Sequence, residues 1–244
     1  RFYGFVNLSA GTITHATGNL VVGCGYGYGR VTQTGGLFNG TIWTPAEIGF
    51  AGGEGEWLQS GGETKLGGDV FVGGVATNFN STVAGQTAGW KNCPCLRRDS
   101  KGLLSVTGGT FTLASGKNLY VSAFGAGTVA LGGTGVITAN EVVLTNTVDE
   151  ANGVTHPATV KVTLSADGAG LIRASKLVIA EGTKLIVDVG SYEGRSRAFA
   201  EAPVIEGAFQ DITYIGANKD YGKVFARNGK LYAGVQRGSI IFVR

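Results

Sequence analysis

The sequence predicts an all-β fold, and within that class a right-handed parallel β-helix, or β-solenoid. Three observations support the prediction: abundant glycine, alternation of apolar with polar residues, and a glycine-rich pattern that recurs along the chain. Glycine occupies 43 of 244 positions, more than twice its usual share of about 7%. Alternation is clear at Val160–Leu164 and is typical of half-buried strands. A β-sandwich is the alternative, since short strands every 8–12 residues or so also describe that fold.

Four double glycines carry the repeat, and their second members are Gly36, Gly62, Gly109 and Gly133. Each is followed, roughly ten residues on, by a short run of strand-forming residues. A unit of about 25 residues cannot bury its apolar side alone, so it must stack on copies of itself. Glycine at the corners lets the chain adopt positive φ and turn sharply between the faces of the stack.

The long gap between Gly62 and Gly109 holds one repeat and an insertion. We expect this insertion to be a loop at about residues 77–101 of a solenoid that spans residues 1–204. Loops of this kind commonly carry binding residues. The segment 78–100 is therefore the candidate contact surface if the protein binds a glycan or a host-surface ligand.

The three cysteines are Cys24, Cys93 and Cys95. The Cys93-Pro94-Cys95 spacing is too tight for a C-x-x-C redox or zinc motif, and no second pair completes four zinc ligands. We expect a disulfide among the three in an oxidising compartment, with one thiol left over or paired between chains. Which two cysteines pair is left open, as is the alternative of three unpaired thiols.

The C-terminal part of the sequence lacks the double-glycine signature but continues as strands from Val154 to Gly190. Residues 192–210 are richer in charge, and within them Ala198–Pro203 is expected to form one helical turn or a covering loop. Asn228-Gly229 lies between two alternating runs, which is the strongest short hairpin signal. We therefore expect residues 205–244 to form a C-terminal hairpin cap followed by a terminal strand.

Both ends of the sequence are short and strongly apolar. Such a strand can cap its own solenoid, or it can pair with the exposed edge of the next subunit, and both alternatives stay open here. Head-to-tail contacts that do not close produce filaments. The candidate subunit-contact residues are Phe2, Phe5, Val6 and Leu8 at the start, and Ile240, Ile241, Phe242 and Val243 at the end.

No residue pattern predicts a catalytic, metal or cofactor site. His15 and His156 are too few for a typical metal cage, and the seventeen acidic residues are scattered. Gly52–Glu56 resembles one turn of a calcium nonapeptide, but it occurs once and has glutamate where that repeat needs aspartate. The net charge of +3, without a basic stripe, does not suggest nucleic-acid binding. No apolar run reaches the roughly 18 residues of a membrane helix.

The repeat resembles the autotransporter-associated β-strand repeats of secreted surface proteins from Gram-negative bacteria. The resemblance is carried by Gly-Gly-Thr, an alternating strand, a Leu-x-Val-Gly run and a Gly-x-Gly before the next double glycine. Residues 105–144 match this pattern best and residues 31–73 match it more loosely. The resemblance implies an extracellular β-helical passenger and no catalytic activity.

These observations favour a secreted structural protein that self-assembles into an extracellular filament, sheath or surface layer. We expect it to be a homopolymer and not an enzyme, without cofactor, nucleic-acid partner or membrane span. The first alternative is an adhesin or carbohydrate-binding passenger that uses the 78–100 insertion. The second is a polysaccharide-active enzyme, which would need two carboxylates about 5–9.5 Å apart; no motif in the sequence supports it.

Overall fold

The structure, a computed structural model, describes residues 3–25, 27–41, 44–74, 100–149 and 154–236. Within these ranges the strands, in chain order, are β1 (Tyr3–Leu8), β2 (Thr12–His15), β3 (Leu20–Cys24), β4 (Tyr28–Gln33), β5 (Leu37–Gly40), β6 (Ala46–Phe50), β7 (Glu54–Leu66), β8 (Val70–Val72), β9 (Lys101–Leu113), β10 (Leu119–Val121), β11 (Ala126–Leu144), β12 (Asn146–Asp149), β13 (Val154–Pro157), β14 (Thr159–Thr163), β15 (Ala169–Ile179), β16 (Lys184–Asp188), β17 (Arg197–Glu201), β18 (Val204–Glu206), β19 (Asp211–Ile215), β20 (Gly222–Arg227) and β21 (Lys230–Val235). A 3-10 turn covers Lys219–Tyr221.

Most of these strands belong to one large sheet in which neighbours run parallel, and the sheet follows a solenoid with three faces. Face A stacks β1, β4, β7, β9, β11, β14, β16 and β19. Face B stacks β2, β5, the later parts of β7 and β9, the middle of β11, β15 and β17. Face C stacks β3, β6, β8, β10 and the ends of β11 and β15, followed by β18.

The register shows the repeat directly. Successive strands of face A begin at residues 3, 28, 54, 101, 126, 159, 184 and 211. Most coils therefore take about 25 residues, as predicted for a stacked repeat. The step from 54 to 101 contains the predicted insertion, most of which lies outside the described residues. The step from 126 to 159 contains a second insertion, the antiparallel pair β12–β13, which the sequence did not suggest. Parallel stacking of this kind fits a solenoid, whereas a β-sandwich is built from antiparallel sheets.

The double glycines lie at the bend between faces A and B. The second glycine of each has positive φ: 67° at Gly36, 75° at Gly62 and 72° at Gly109. These glycines also stack closely, because a Cβ added to Gly109 would overlap the carbonyl oxygen of Gly62 in the preceding coil. Glycine is required both for the left-handed conformation and for the close approach of the two backbones. The predicted role of glycine as the corner residue is confirmed.

The core is a set of side-chain columns, in which each inward position stacks on its equivalent in the next coil. One column on face A runs through Val31, Trp57, Leu104, Val129, Val160 and Leu185. All of its members are buried. Removal of this apolar surface from water is the main contribution that holds successive coils together.

Trp57 is the largest fully buried side chain among the described residues. Its ring meets Phe38 edge-on at a centroid distance of 4.9 Å and Phe111 at 5.7 Å. Phe38 and Phe111 belong to one column of face B, with Thr64 between them. Because threonine is much smaller than phenylalanine, this column leaves room for the indole ring that projects from the adjoining face A. Edge-to-face packing of aromatic rings adds to the burial of their surface.

Two buried glutamines of the core, Gln33 and Gln59, satisfy backbone carbonyl groups at the bends. The Gln33 amide donates to the carbonyl oxygen of Gly36 at 3.3 Å and to that of Glu63, one coil further on, at 2.9 Å. Gln59 repeats this pattern one coil later. The Thr64 hydroxyl donates to Gln33 Oε1 at 2.6 Å. Because their amide groups are hydrogen-bonded, these buried glutamines need not destabilise the core. Each glutamine also links the bend of its own coil to the bend of the next coil.

The C-terminal coils keep the parallel pairing through β18 and β19. Ala198–Pro203, expected as a helical turn or loop, instead begins within strand β17, whose Phe199 and Ala200 are buried in the core. The core position overrides the local preference of alanine for helix. The hairpin at Asn228-Gly229 is confirmed: both residues have positive φ, and β20 pairs antiparallel with β21. Strand β21 in turn pairs antiparallel with β17.

Candidate functional site at the edge of the first coil

Strand β1 is an edge of face A at which the interior of the solenoid is open. Val6 and Leu8 point inward, since they lie in register with the buried residues Val31 and Gln33. Val6 is nevertheless 39% exposed, whereas Val31 one coil further in is only 4% exposed. The contrast arises because, among the described strands, β1 has a parallel neighbour on one side only. An unpaired, apolar strand edge is a ready template for another strand.

A cavity of about 480 Å³ opens at this edge. Its wall includes Val6 together with Leu20, Val22, Val31 and Phe38. The lining is therefore largely apolar, and covering it would remove apolar surface from water. Exposed apolar patches of this kind mark interaction surfaces.

The outer side of the same edge carries aromatic rings. Tyr3 and Phe5 point outward and are 65% and 60% exposed, and their ring centroids lie 6.4 and 6.0 Å from that of Tyr28. The Arg30 guanidinium lies 5.4 Å from the centre of the Tyr28 ring. Glu56 Oε2 accepts from Arg30 Nε at 2.7 Å and from the Tyr28 hydroxyl at 2.6 Å. We call Tyr3, Phe5, Tyr28, Arg30 and Glu56 the aromatic ledge.

The charges of the ledge are balanced. Arg30 and Glu56 form an ion pair, and the neighbouring Glu54 accepts from Lys101 Nζ at 3.1 Å. Glu54 and Glu56, the two glutamates of the segment Gly52–Glu56 that resembles a calcium nonapeptide, are thus both paired with cations. Desolvation and the hydrogen bond to Glu56 raise the pKa of Tyr28. Its hydroxyl therefore remains a donor at neutral pH.

The predicted contact residues divide by the direction in which they point. Phe5 points away from the core, while Val6 and Leu8 point into it. Leu8 is only 6% exposed and belongs to the buried core, so of the described contact candidates Val6 alone faces the open interior. Phe2 and the residues Ile240, Ile241, Phe242 and Val243 lie outside the described residues. The same holds for Cys93, Cys95 and nearly all of the segment 78–100, so the disulfide and the loop contact surface stay predictions.

Cys24 lies at the end of β3 with an exposed side chain. Partial burial, and then the nearby Glu47 carboxyl, raise the pKa of its thiol. The thiolate is the reactive form of cysteine. Cys24 is therefore a weak nucleophile at neutral pH.

Glu47 was not singled out by the sequence, yet it is the most unusual ionisable group that the structure describes. It lies on β6 in register with Val21 and Phe71 and is only 4% exposed. Within the described part of the chain its Oε2 has no hydrogen-bond partner. Burial raises the pKa of this carboxyl from 4.5 to about 8. Glu47 is consequently protonated at neutral pH.

The raised pKa of Glu47 predicts a pH-dependent stability. The folded state keeps this proton up to pH of about 8, whereas the unfolded chain releases it near 4.5. Stability from this group is thus fully present below pH 4.5 and is lost as the pH rises toward 8. We expect urea denaturation of the wild type to lose a few kcal/mol between about pH 5 and 8 relative to Glu47→Gln. Parallel pH profiles for the two proteins would contradict the assignment.

The ledge was also missed, although the sequence contains a signal for it. Tyr3-Gly4-Phe5, Tyr28-Gly29-Arg30 and Glu54-Gly55-Glu56 share an x-Gly-x pattern that recurs with the period of the repeat. Once the coil length is known, this spacing places the three segments side by side on face A. Without the register, each segment reads as an isolated glycine-rich stretch.

No protein-family model matches the chain, and no curated protein matches it. Among the described ranges, no group of three or more His, Cys, Asp or Glu side chains is placed to hold a metal ion. The part of the chain that the structure describes also contains no helix that is long and apolar enough to cross a membrane. The open edge at strand β1 is therefore the structural feature that bears most directly on function.

Proposed function

We propose that the chain is a secreted structural protein, a subunit that builds an extracellular filament, sheath or surface layer by end-to-end stacking of solenoids. The observation that supports this proposal is the open edge at β1, where the inward residue Val6 is 39% exposed. A solenoid buries its core only through its neighbours along the axis. A second copy is the partner whose shape and strand spacing match this edge.

The last coil offers edges of the matching kind. Among the described strands, β19 pairs only with β16, and β18 pairs only with β15. Face A strands pair in parallel from β1 to β19, so β19 of one copy can lie beside β1 of the next without reversing direction. Such a contact joins two different surfaces and does not close on itself, and repeated contacts of this kind form a filament.

Two finer features belong to the same proposal. The solenoid is right-handed, because parallel strands in one sheet are almost always joined by right-handed connections. The hairpin β20–β21 serves as a C-terminal cap of face B: β21 takes the place of the next strand after β17, and Val224 and Val235 pack against the core. Face A then carries the strand pairing between subunits, since face C stacks seven described strands against eight on face A and β18 ends one layer short of β19.

Terminal strand exchange is a second form of this contact. Along face B the strands follow the order β2, β5, β7, β9, β11, β15, β17, β21. Strands β2 and β21 are therefore seven spacings of about 4.8 Å apart, which is roughly 34 Å. Residues 237–243 span at most about 25 Å when fully extended. Ile240–Val243 can therefore cover the first coil of a neighbouring copy but not that of their own chain.

Two adjacent residues of β1 test the proposal. We expect Val6→Lys to abolish assembly, because stacking would bury an unpaired ammonium group. In the unassembled subunit the same lysine reaches water, so the fold is retained. Phe5→Lys is the matched control: it introduces the same charge one residue away but on the outer side of the strand. Sedimentation velocity should show large assemblies for the wild type and Phe5→Lys, and monomers for Val6→Lys.

Circular dichroism should give similar melting temperatures for both variants, which separates loss of assembly from loss of folding. A folded Val6→Lys protein that still assembles would reject stacking at this edge. A wild type that stays monomeric at all concentrations would reject the proposed function itself.

A further inference from the structure

We propose that the aromatic ledge is a binding site for an uncharged polysaccharide. The ledge side chains lie on the outer side of β1, β4 and β7, whereas stacking uses the inward side of β1. The two surfaces adjoin at this edge, where Tyr3, Phe5, Tyr28 and Arg30 also line the cavity. When a strand adds to the edge of β1, Tyr3 and Phe5 still point outward, and the site stays in contact with water.

The rings of the ledge provide the apolar half of such a site. A sugar ring presents C–H groups on its faces, and exposed aromatic rings cover such faces with little loss of conformational freedom. Tyr3 and Phe5 are the most exposed large hydrophobic side chains among the described residues. Their ring centroids lie 6.4 and 6.0 Å from that of Tyr28, with interplanar angles of 56° and 58°, so the three rings form a group of adjoining, mutually tilted apolar surfaces.

The neighbouring ion pair provides the polar half. A sugar hydroxyl both donates and accepts, so it is best met by a donor and an acceptor held side by side. Arg30 uses Nε toward Glu56, which leaves the terminal nitrogens of its partly exposed guanidinium able to donate. Glu56 accepts both of its hydrogen bonds through Oε2, and Oε1 takes part in neither. An apolar patch with a polar rim is the usual form of a binding surface.

Because the ledge carries no net charge, it favours an uncharged ligand. Arg30 is neutralised by Glu56 at 2.7 Å, and the adjacent Lys101 by Glu54 at 3.1 Å. An acidic polymer would find no uncompensated cation in this group of residues, and charge attraction would not favour it. A neutral chain of sugar rings meets the same surface through stacking and hydroxyl hydrogen bonds alone.

Affinity electrophoresis in gels that contain a soluble polysaccharide tests the proposal. The probes are hydroxyethyl cellulose, a β-1,3-glucan and dextran as neutral polymers, with alginate and hyaluronate as acidic ones. All proteins carry Val6→Gln, which should also prevent stacking by burying an unpaired amide but adds no charge beside the ledge, so that assembly does not add avidity. We expect at least one neutral polymer to retard this parent protein. Tyr3→Ala and Phe5→Ala should each weaken that retardation about tenfold or more, in line with the loss of one aromatic contact.

Tyr221→Ala is the matched control, since Tyr221 is similarly exposed but lies on the 3-10 turn near the other end. Its retardation should equal that of the parent. The ledge proposal is overturned if no neutral polymer retards the parent, if only acidic polymers do, or if the ledge variants are retarded as strongly as Tyr221→Ala. Because every protein shares one background, this result does not depend on whether Val6→Gln blocks assembly.

Discussion

Replacing Gly109 with alanine should destabilise the protein by about 3 kcal/mol or more, the combined effect of a left-handed alanine and of overpacking against a backbone. Gly109 has a φ of 72°, and an added Cβ would overlap the carbonyl oxygen of Gly62. A backbone atom cannot move aside as the end of a side chain can. The two coils must therefore separate, which weakens the pairing of β7 with β9.

Gly116→Ala separates the two causes. Gly116 has a φ of 75°, close to that of Gly109, but a Cβ placed on it meets nothing within 4 Å. Its substitution should lower the free energy of unfolding only by the conformational cost of a left-handed alanine, about 1–2 kcal/mol. Guanidinium denaturation followed by circular dichroism gives both values. Equal losses for the two variants would show that the stacked corner does not require the close approach of glycine backbones.

Replacing Trp57 with alanine should lower the free energy of unfolding by about 3–5 kcal/mol, the range typical of large-to-small changes in a packed core. Its ring is held between Phe38 and Phe111, and Thr64 is too small to fill the space that it would leave. The indole Nε1 has no hydrogen-bond partner among the described residues. The whole effect is therefore one of packing rather than of a lost hydrogen bond.

Trp57→Phe retains an aromatic ring at the same place and should cost clearly less than the alanine variant. Both are measured by the same denaturation experiment as the glycine variants. A loss below about 1 kcal/mol for Trp57→Ala would be typical of a surface position and would contradict the arrangement of the three rings.

The repeat, the strands and the corners could be predicted because they follow from local pattern. Double glycines at regular spacing specify where the chain turns, and Asn228-Gly229 specifies a hairpin whatever surrounds it. The pair β12–β13 was missed because the repeat was followed through its double glycines, and the coils after Gly133 have none. Strand β17 was missed because the burial of Phe199 and Ala200 depends on stacking, which local composition does not report.

The open edge could be predicted only in part. The apolar character of β1 marked Phe5 and Val6 together, but their opposite directions depend on the register with β4. Glu47 lies between Val21 and Phe71 in the stacked sheet, partners that are distant in sequence. Its burial therefore has no signature in the residues that flank it.

The two sides of β1 suggest two separate roles for one strand. The inward side offers apolar surface to a second solenoid, and the outward side offers rings and a balanced ion pair to a sugar polymer. The cross-comparison of Val6→Lys with Phe5→Lys distinguishes the roles, since the first should lose assembly alone and the second should lose glycan retention alone. A filament of this kind would present one ledge for each subunit along its length.

Cryo-electron microscopy of the purified wild-type chain tests end-to-end stacking most directly. Continuation of the parallel strands across subunits predicts filaments with a layer spacing of about 4.8 Å along the axis. Eight stacked strands on face A predict a subunit repeat of roughly 38 Å in the same direction. Filaments with both spacings would support end-to-end stacking of the solenoids. Monodisperse particles at every concentration, or filaments whose strands do not run across the axis, would contradict it.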